Sequence, residues 1–193
     1  HVVFVSSGGA IYGDSDIQPT HEGVQPNPKS FYAVLKLAAE QHLRLFASQA
    51  DMTYTVARVS NPYGPDQEFK HGQGLVPKVI DHILNDVPID VFGDGKSVRD
   101  YVHIRDLTSA LFECGARPSA IDQTINIGTG VGKSIIDVIE AIARLLGREA
   151  KVNFIPSAAS EVRSIILDIR LANVLLGWVP VYSFDEGLKT LLN

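Results

Sequence analysis

Tyr32 and Lys36 stand four residues apart in SFYAVLKLAAE, residues 30–40. Helical spacing stacks residues i and i+4 on one face. A free tyrosine ionises near pH 10 and is a poor base at neutral pH, but an adjacent ammonium favours the phenolate. A phenol so tuned can take a proton from a sugar hydroxyl while hydride leaves the same carbon. Taken alone, the pair also fits an amphipathic helix with a core tyrosine and a solvated lysine, so its chemistry depends on its surroundings.

A second stretch invites a different chemistry. GTGVGKS, residues 128–134, follows the apolar run TINI and opens the helical pattern SIIDVIEAIARLL. A triphosphate-cradling loop needs G-x-x-x-x-G-K-[ST], so that backbone N–H groups wrap a phosphate above a helix N-terminus. With Gly132 as the second glycine, the first falls on Ile127; counted from Gly128, the loop is one residue short. SIILD, ending at Asp168, could pose as the magnesium-holding strand of such proteins. The simpler reading is a strand-to-helix turn, with Ser134 as the helix cap and Asp137 three residues on.

The elements that must position these groups follow from periodicity. Strands are expected at 2–6, 54–59, 89–93, 99–104, 124–128 and 151–155. Helices are expected at 30–49 with Ser30 as cap, at 75–85 with Pro77 in the first turn, and at 106–116 started by Asp106. Further helices are expected at 134–146, ended by Gly147, and at 170–177 and 183–193. This alternation predicts an α/β protein with a mainly parallel sheet.

The chain has 193 residues, 45% hydrophobic and 20% charged, enough for one domain or one large domain with a small appendage. A net charge of −5 without a basic run argues against a nucleic-acid surface. Cys114 is the one cysteine, so neither an internal disulfide nor a cysteine-rich metal site is expected, and the six histidines lack metal-ligand spacing. No apolar run approaches the roughly 18 residues of a membrane span. The opening HVVFVSS reads as a buried strand, not a signal peptide. A cytoplasmic protein without metal, membrane or nucleic acid is the expectation.

Around the Tyr32–Lys36 pair, motifs follow in a set order: SSGGAIYG (6–13), PNPKSFYAVLK, RVSNPYGP (58–65), GQGLVPKVI, PIDVFGDGKSVRDYVHIRDL, INIGTG and LGWVP. From residue 2 to about 190, the succession resembles the C-terminal two-thirds of extended short-chain dehydrogenase/reductases, above all nucleotide-sugar epimerases of the UDP-glucose 4-epimerase type. The resemblance implies an α/β fold: the C-terminal half of a Rossmann-type doubly wound parallel sheet plus a smaller α/β substrate-binding lobe. Residues 1–64, with part of 99–128, would belong to the dinucleotide-binding domain; 65–98 and 129–193 would form the nucleotide-sugar lobe. It implies NAD as cofactor, a UDP-hexose as substrate and a homodimer through the 30–49 helix. Tyr32 would be the catalytic base and acid, with Lys36 holding the nicotinamide ribose. Ser6 and Ser7 would lie beside them, and the backbone at Val59 and Ser60 would approach the nicotinamide. Asn61, Gly74, Leu75, Asp90, Phe92 and Arg99 would grip the nucleotide sugar, Phe92 at the uracil and Arg99 at the diphosphate. Each also has a plainer reading. Arg99 and Asp100 fit a surface ion pair, Asn61 a turn before Pro62, Phe92 and Trp178 core packing, and His103 with Asp106 a strand histidine beside a capping aspartate.

Three departures qualify the likeness. The fingerprint G-x-x-G-x-x-G is absent, so the chain is expected to be a fragment or to lack its own cofactor cradle, serving then as a nucleotide-sugar-binding or dimerising module. The family's catalytic Ser/Thr falls on Gly8, with Ser7 as substitute. An arginine of the family falls on Ala158, with Arg163 five residues on. Dehydratases of the family need an Asp-Glu pair where this chain has Gly8, Gly9 and Ala10, which ranks dehydration below epimerisation.

Overall fold

The computed structural model describes residues 1–67, 74–156 and 162–192. Its first half contains β1 (Val2–Ser7), α1 (Gly8–Ile11), α2 (Phe31–Gln49), β2 (Tyr54–Val59), β3 (Asn61–Tyr63), α3 (Leu75–Leu84), β4 (Ile89–Phe92) and β5 (Val98–His103). Then follow α4 (Ile104–Ala116), β6 (Gln123–Ile127), β7 (Gly132–Ser134), α5 (Ile135–Leu146), β8 (Val152–Ile155), β9 (Ser164–Ile165), α6 (Arg170–Leu176) and α7 (Phe184–Lys189). The chain is thus a mixed α/β fold with parallel sheets, as the alternation predicts.

Strands β1, β2 and β6 form a parallel sheet in that order, with Ser6 opposite Arg58 and Arg58 opposite Asn126. Side chains alternate between the faces of a strand. Ala57, Val59, Ile125 and Ile127 turn to one face and pack with Leu107, Ala110 and Cys114 of α4 and with Ala172 and Leu176 of α6. Ser6 and Arg58 turn the other way and meet Glu40 of α2. Helix α2 therefore covers the face opposite α4 and α6. Strand β5 is the hub of a second sheet: β3 and β9 run parallel to it and β7 antiparallel. β4 and β8 form a parallel pair. A second apolar core joins Val76, Val79 and Ile83 of α3 to Val138, Ile139 and Ile142 of α5.

Local signals explain most boundaries. Ser30 Oγ accepts the Ala33 N–H at the start of α2. Ser134 and Asp137 form a reciprocal capping box, and Gly147 closes α5 in the left-handed conformation. The start of α4 differs from expectation, and the last helix, expected over 183–193, is α-helical only over Phe184–Lys189. Helix α4 starts at Ile104, two residues early, because His103 is the cap and accepts the Arg105 N–H. Asp106 lies inside the first turn, and its carboxylate accepts the N–H groups of Val181 and Tyr182, which docks the segment before α7. SIILD yields only the two-residue β9; Asp168 lies beyond it and is bound by the Arg170 guanidinium at 2.6 Å.

Candidate active site

Tyr32 and Lys36 lie on the first two turns of α2, which Ser30 caps beside the C-terminal end of β1. They share a cleft of about 360 Å³ with Ser6, Ser7, Val59 and Asn61. Six of the predicted site residues therefore converge, drawn from β1, α2, β2 and the start of β3. Open α/β sheets bind ligands at the carboxyl ends of their strands, and this cleft occupies that position. Tyr32 is 55% exposed at the cleft. Lys36 Nζ donates to the Val5 carbonyl at 2.8 Å and lies 5.9 Å from the centre of the Tyr32 ring. The ammonium is thus held beside the phenol by a strand carbonyl.

The two serines differ. Ser6 is buried, and its hydroxyl donates to Glu40 Oε1 at 2.5 Å. Ser7, one residue on, faces the cleft only half buried, and its neighbour Gly8 is closed in. A Cβ on Gly8 would meet Leu167 at 2.7 Å, so no larger residue fits there without movement. On Gly9, a Cβ would meet Asn61 Oδ1 at 2.9 Å, which leaves the wall of the cleft as backbone. Ser60 Oγ is buried with no hydrogen-bond partner among the described residues, although the residue borders the cleft. Free polar capacity, an ammonium, a phenol and a glycine-lined wall fit the nicotinamide-ribose end of a dinucleotide.

The other five predicted residues do not line this cleft. Gly74 precedes α3 at a φ of +85°, a conformation suited to glycine, and Leu75 opens the helix. The two residues before them in GQGLVP lie outside the described residues, as does Ala158. Asp90 and Phe92 both project to the exposed side of β4, where Phe92 is 51% exposed and not in the core. Arg99 on β5 donates to the Val98 carbonyl at 2.8 Å. It does not form a surface pair with Asp100, which is buried and points to the opposite side of the strand. Arg163 has its backbone N–H fixed by Asp14 at 2.7 Å.

Asp100 also disposes of the triphosphate loop. Its Oδ1 accepts the Thr129 N–H and hydroxyl, at 2.9 and 2.7 Å, and its Oδ2 accepts the Gly130 and Leu167 N–H groups, at 3.1 and 3.3 Å. The turn after β6 is wrapped around an internal carboxylate, whose pKa burial raises against these four donors. Gly128 is required because a Cβ there would meet Asp100 Oδ2 at 2.6 Å. The HIRD pair is structural too. His103 is fully buried between the rings of Tyr63 and Tyr182, and burial lowers its pKa. Trp178 is core, donating to Ser109 Oγ at 2.9 Å.

Sequence reading missed Glu40 and Arg58, a buried pair directly behind the cleft with Nη2 to Oε2 at 2.7 Å. The signal was available, because Glu40 continues the spacing of Tyr32 and Lys36 by one more turn. Among the described residues no cluster of His, Cys, Asp and Glu could hold a metal ion, and no helix is long and apolar enough to cross a membrane.

Known proteins resemble this chain in sequence and in fold. The dTDP-4-dehydro-6-deoxyglucose reductase of Escherichia coli is 36% identical over 99% of this chain and 60% of its own length. The UDP-glucose 4-epimerase of Mycolicibacterium smegmatis is 35% identical over 97% of this chain and 59% of its own. The UDP-glucose 4-epimerase of Thermotoga maritima, solved with UDP-glucose, superposes with a TM-score of 0.92 at 35% identity, over 97% of this chain and 60% of that one. The chain thus spans about 60% of the length of these relatives. Residues 1–128 match the NAD dependent epimerase/dehydratase family. With the Tyr32–Lys36 cleft inside the matched region, the chain belongs to the NAD dependent epimerase/dehydratase family.

Proposed function

We propose that the complete protein is an NAD-dependent nucleotide-sugar 4-epimerase acting on a UDP-hexose in the cytoplasm. The observation that carries this reading is the Tyr32–Lys36 pair in one cleft with Ser7, Val59 and Asn61. Bound NAD would supply uptake and return of a hydride at one sugar carbon. Tyr32 Oη takes the proton of the hydroxyl on that carbon and returns it after the sugar presents its other face. Lys36 holds the nicotinamide ribose and keeps a positive charge beside the phenol. Ser7 supplies a hydroxyl donor in place of the family serine or threonine. Asn61, Gly74, Leu75, Asp90, Phe92 and Arg99 bind the nucleotide sugar, the forked guanidinium of Arg99 suiting a diphosphate.

In this reading, residues 1–64 with part of 99–128 are the C-terminal half of a doubly wound Rossmann sheet, and 65–98 with 129–193 form the substrate lobe. Among the described residues β1 is an edge strand, which supports continuation of the sheet on that side in the complete protein. Only Ala33 and Glu40 of the nineteen residues of α2 are buried, while Phe31, Leu35, Leu45 and Phe46 are exposed. That apolar surface supports a homodimer through the 30–49 helix. Light scattering that finds a monomer at high concentration would remove the dimer.

The 36% identity to a reductase supports a second reading, reduction of a keto nucleotide sugar by the same site. The test is to incubate the complete protein with UDP-galactose and NAD and follow both UDP-glucose and NADH. An epimerase forms UDP-glucose without net NADH. A reductase leaves UDP-galactose untouched and consumes reduced cofactor only when a keto sugar is supplied.

A further inference from the structure

Helix α2 is poorly seated by apolar packing. Of its nineteen residues, the two buried are Ala33 and Glu40. A carboxylate wholly removed from solvent is costly unless it is paired, so its presence needs a reason. Its partners supply one. Arg58 grips both oxygens, Nε to Oε1 at 3.1 Å and Nη2 to Oε2 at 2.7 Å. Arg58 Nη1 donates to Tyr12 Oη at 3.0 Å, and Tyr12 Oη donates to Asn126 Oδ1 at 2.8 Å. Ser6, Arg58 and Asn126 are register partners across the three strands. A polar row therefore crosses the sheet one residue below the row Ser7–Val59–Ile127 that reaches the cleft.

Two consecutive residues of β1 receive two consecutive turns of α2. The Val5 carbonyl accepts from Lys36 Nζ, and Ser6 Oγ donates to Glu40 Oε1. We propose that Glu40, clamped by Arg58, is a positioning residue: it fixes the rotation and register of α2 on β1 and thereby holds Lys36 against Val5 and beside Tyr32. The catalytic consequence rests on the function proposed above; the positional claim does not. The clamp acts where apolar packing is thin, since a charged pair with several hydrogen bonds tolerates less displacement than a few methyl contacts.

Two measurements test this. The first is the side-chain ammonium resonance of Lys36 in lysine-selective ¹⁵N spectra of the complete protein, assigned by its loss in Lys36→Met. In Glu40→Gln it is expected to shift or broaden, because the Val5 contact that protects it loosens. The second is steady-state turnover in the complete protein, assayed well below the unfolding midpoint. There Glu40→Gln is expected to lower kcat about tenfold or more with KM changed less than about threefold, the mark of a misplaced group and not of lost substrate binding. Ser6→Ala, which leaves the ion pair intact, is expected to move both readouts the same way by less, and it decides alone if Glu40→Gln fails to fold. A parent without turnover sinks the functional reading, and the Lys36 resonance then decides the positional one. An unchanged Lys36 resonance, or an unchanged kcat in an active protein, overturns the proposal.

Discussion

The two faces of the β1–β2–β6 sheet are built on opposite principles. Towards α4 and α6, the strands offer Ala57, Val59, Ile125 and Ile127, and the helices answer with Leu107, Ala110, Cys114 and Leu176. Towards α2, the row of these strands next to the cleft offers Ser6, Arg58 and Asn126, and the answer is a carboxylate and a phenol, Glu40 and Tyr12, while Phe4 and Val56 form an apolar row behind it. Apolar burial stabilises without direction, whereas a desolvated ion pair adds little net stability and demands one geometry. The face that needs only to hold is greasy. On the face that must place Lys36 within reach of Val5 and Tyr32, the row beside the cleft is polar.

Mutations that treat the faces alike should expose the difference. Removing one partner on the polar face has the largest expected effect: Arg58→Met strands a buried carboxylate and should cost about 3–5 kcal/mol in urea unfolding. On the apolar face, Ile125→Ala leaves a cavity and should cost about 2–5 kcal/mol, without touching the groups of the cleft. The double variant Glu40→Met with Arg58→Met sharpens the contrast. It should regain most of the stability lost in Arg58→Met, since apolar replacement of a buried pair is often neutral or stabilising by about 1–4 kcal/mol. Turnover should not return with it. Equal recovery of both would reduce the polar row to a device for stability.

The smallest effect is a slope with pH. Burial on the apolar face pushes the Cys114 thiol from its ordinary 9.0 up to about 11. The folded state keeps that proton while the unfolded chain releases it, so this contribution is intact below about pH 9 and is lost as pH rises towards 11. Urea midpoints measured from pH 8 to 11 should fall more steeply in the parent than in Cys114→Ala. Equal slopes would mean the thiol is not sealed.

Much of this was legible beforehand, for reasons that are local. Caps at Ser30 and Ser134 and the left-handed Gly147 are written in residues whose side chains or backbone freedom act within one turn. Tyr32 and Lys36 were readable because helical spacing is short-range. What could not be read is what distant segments do to one another. Asp106 looked like a cap and instead binds the N–H groups of Val181 and Tyr182, some 75 residues away. Arg99 and Asp100 looked like a surface pair, but strand alternation separates them, and the loop at Thr129 and Gly130 claims Asp100. The stretch GTGVGKS resembled a phosphate loop because glycine spacing alone does not reveal which internal group uses its N–H donors. Glu40 lay in plain view on the helical ladder, yet its burial depends on Arg58 from another element.

The most direct test of the central claim is the rate of UDP-galactose to UDP-glucose conversion by the complete protein with Tyr32 replaced by phenylalanine. Loss of the proton-transfer group should cut kcat by about a hundredfold or more while the protein stays folded and binds UDP. A Tyr32→Phe protein that turns over at the parent rate would contradict the account.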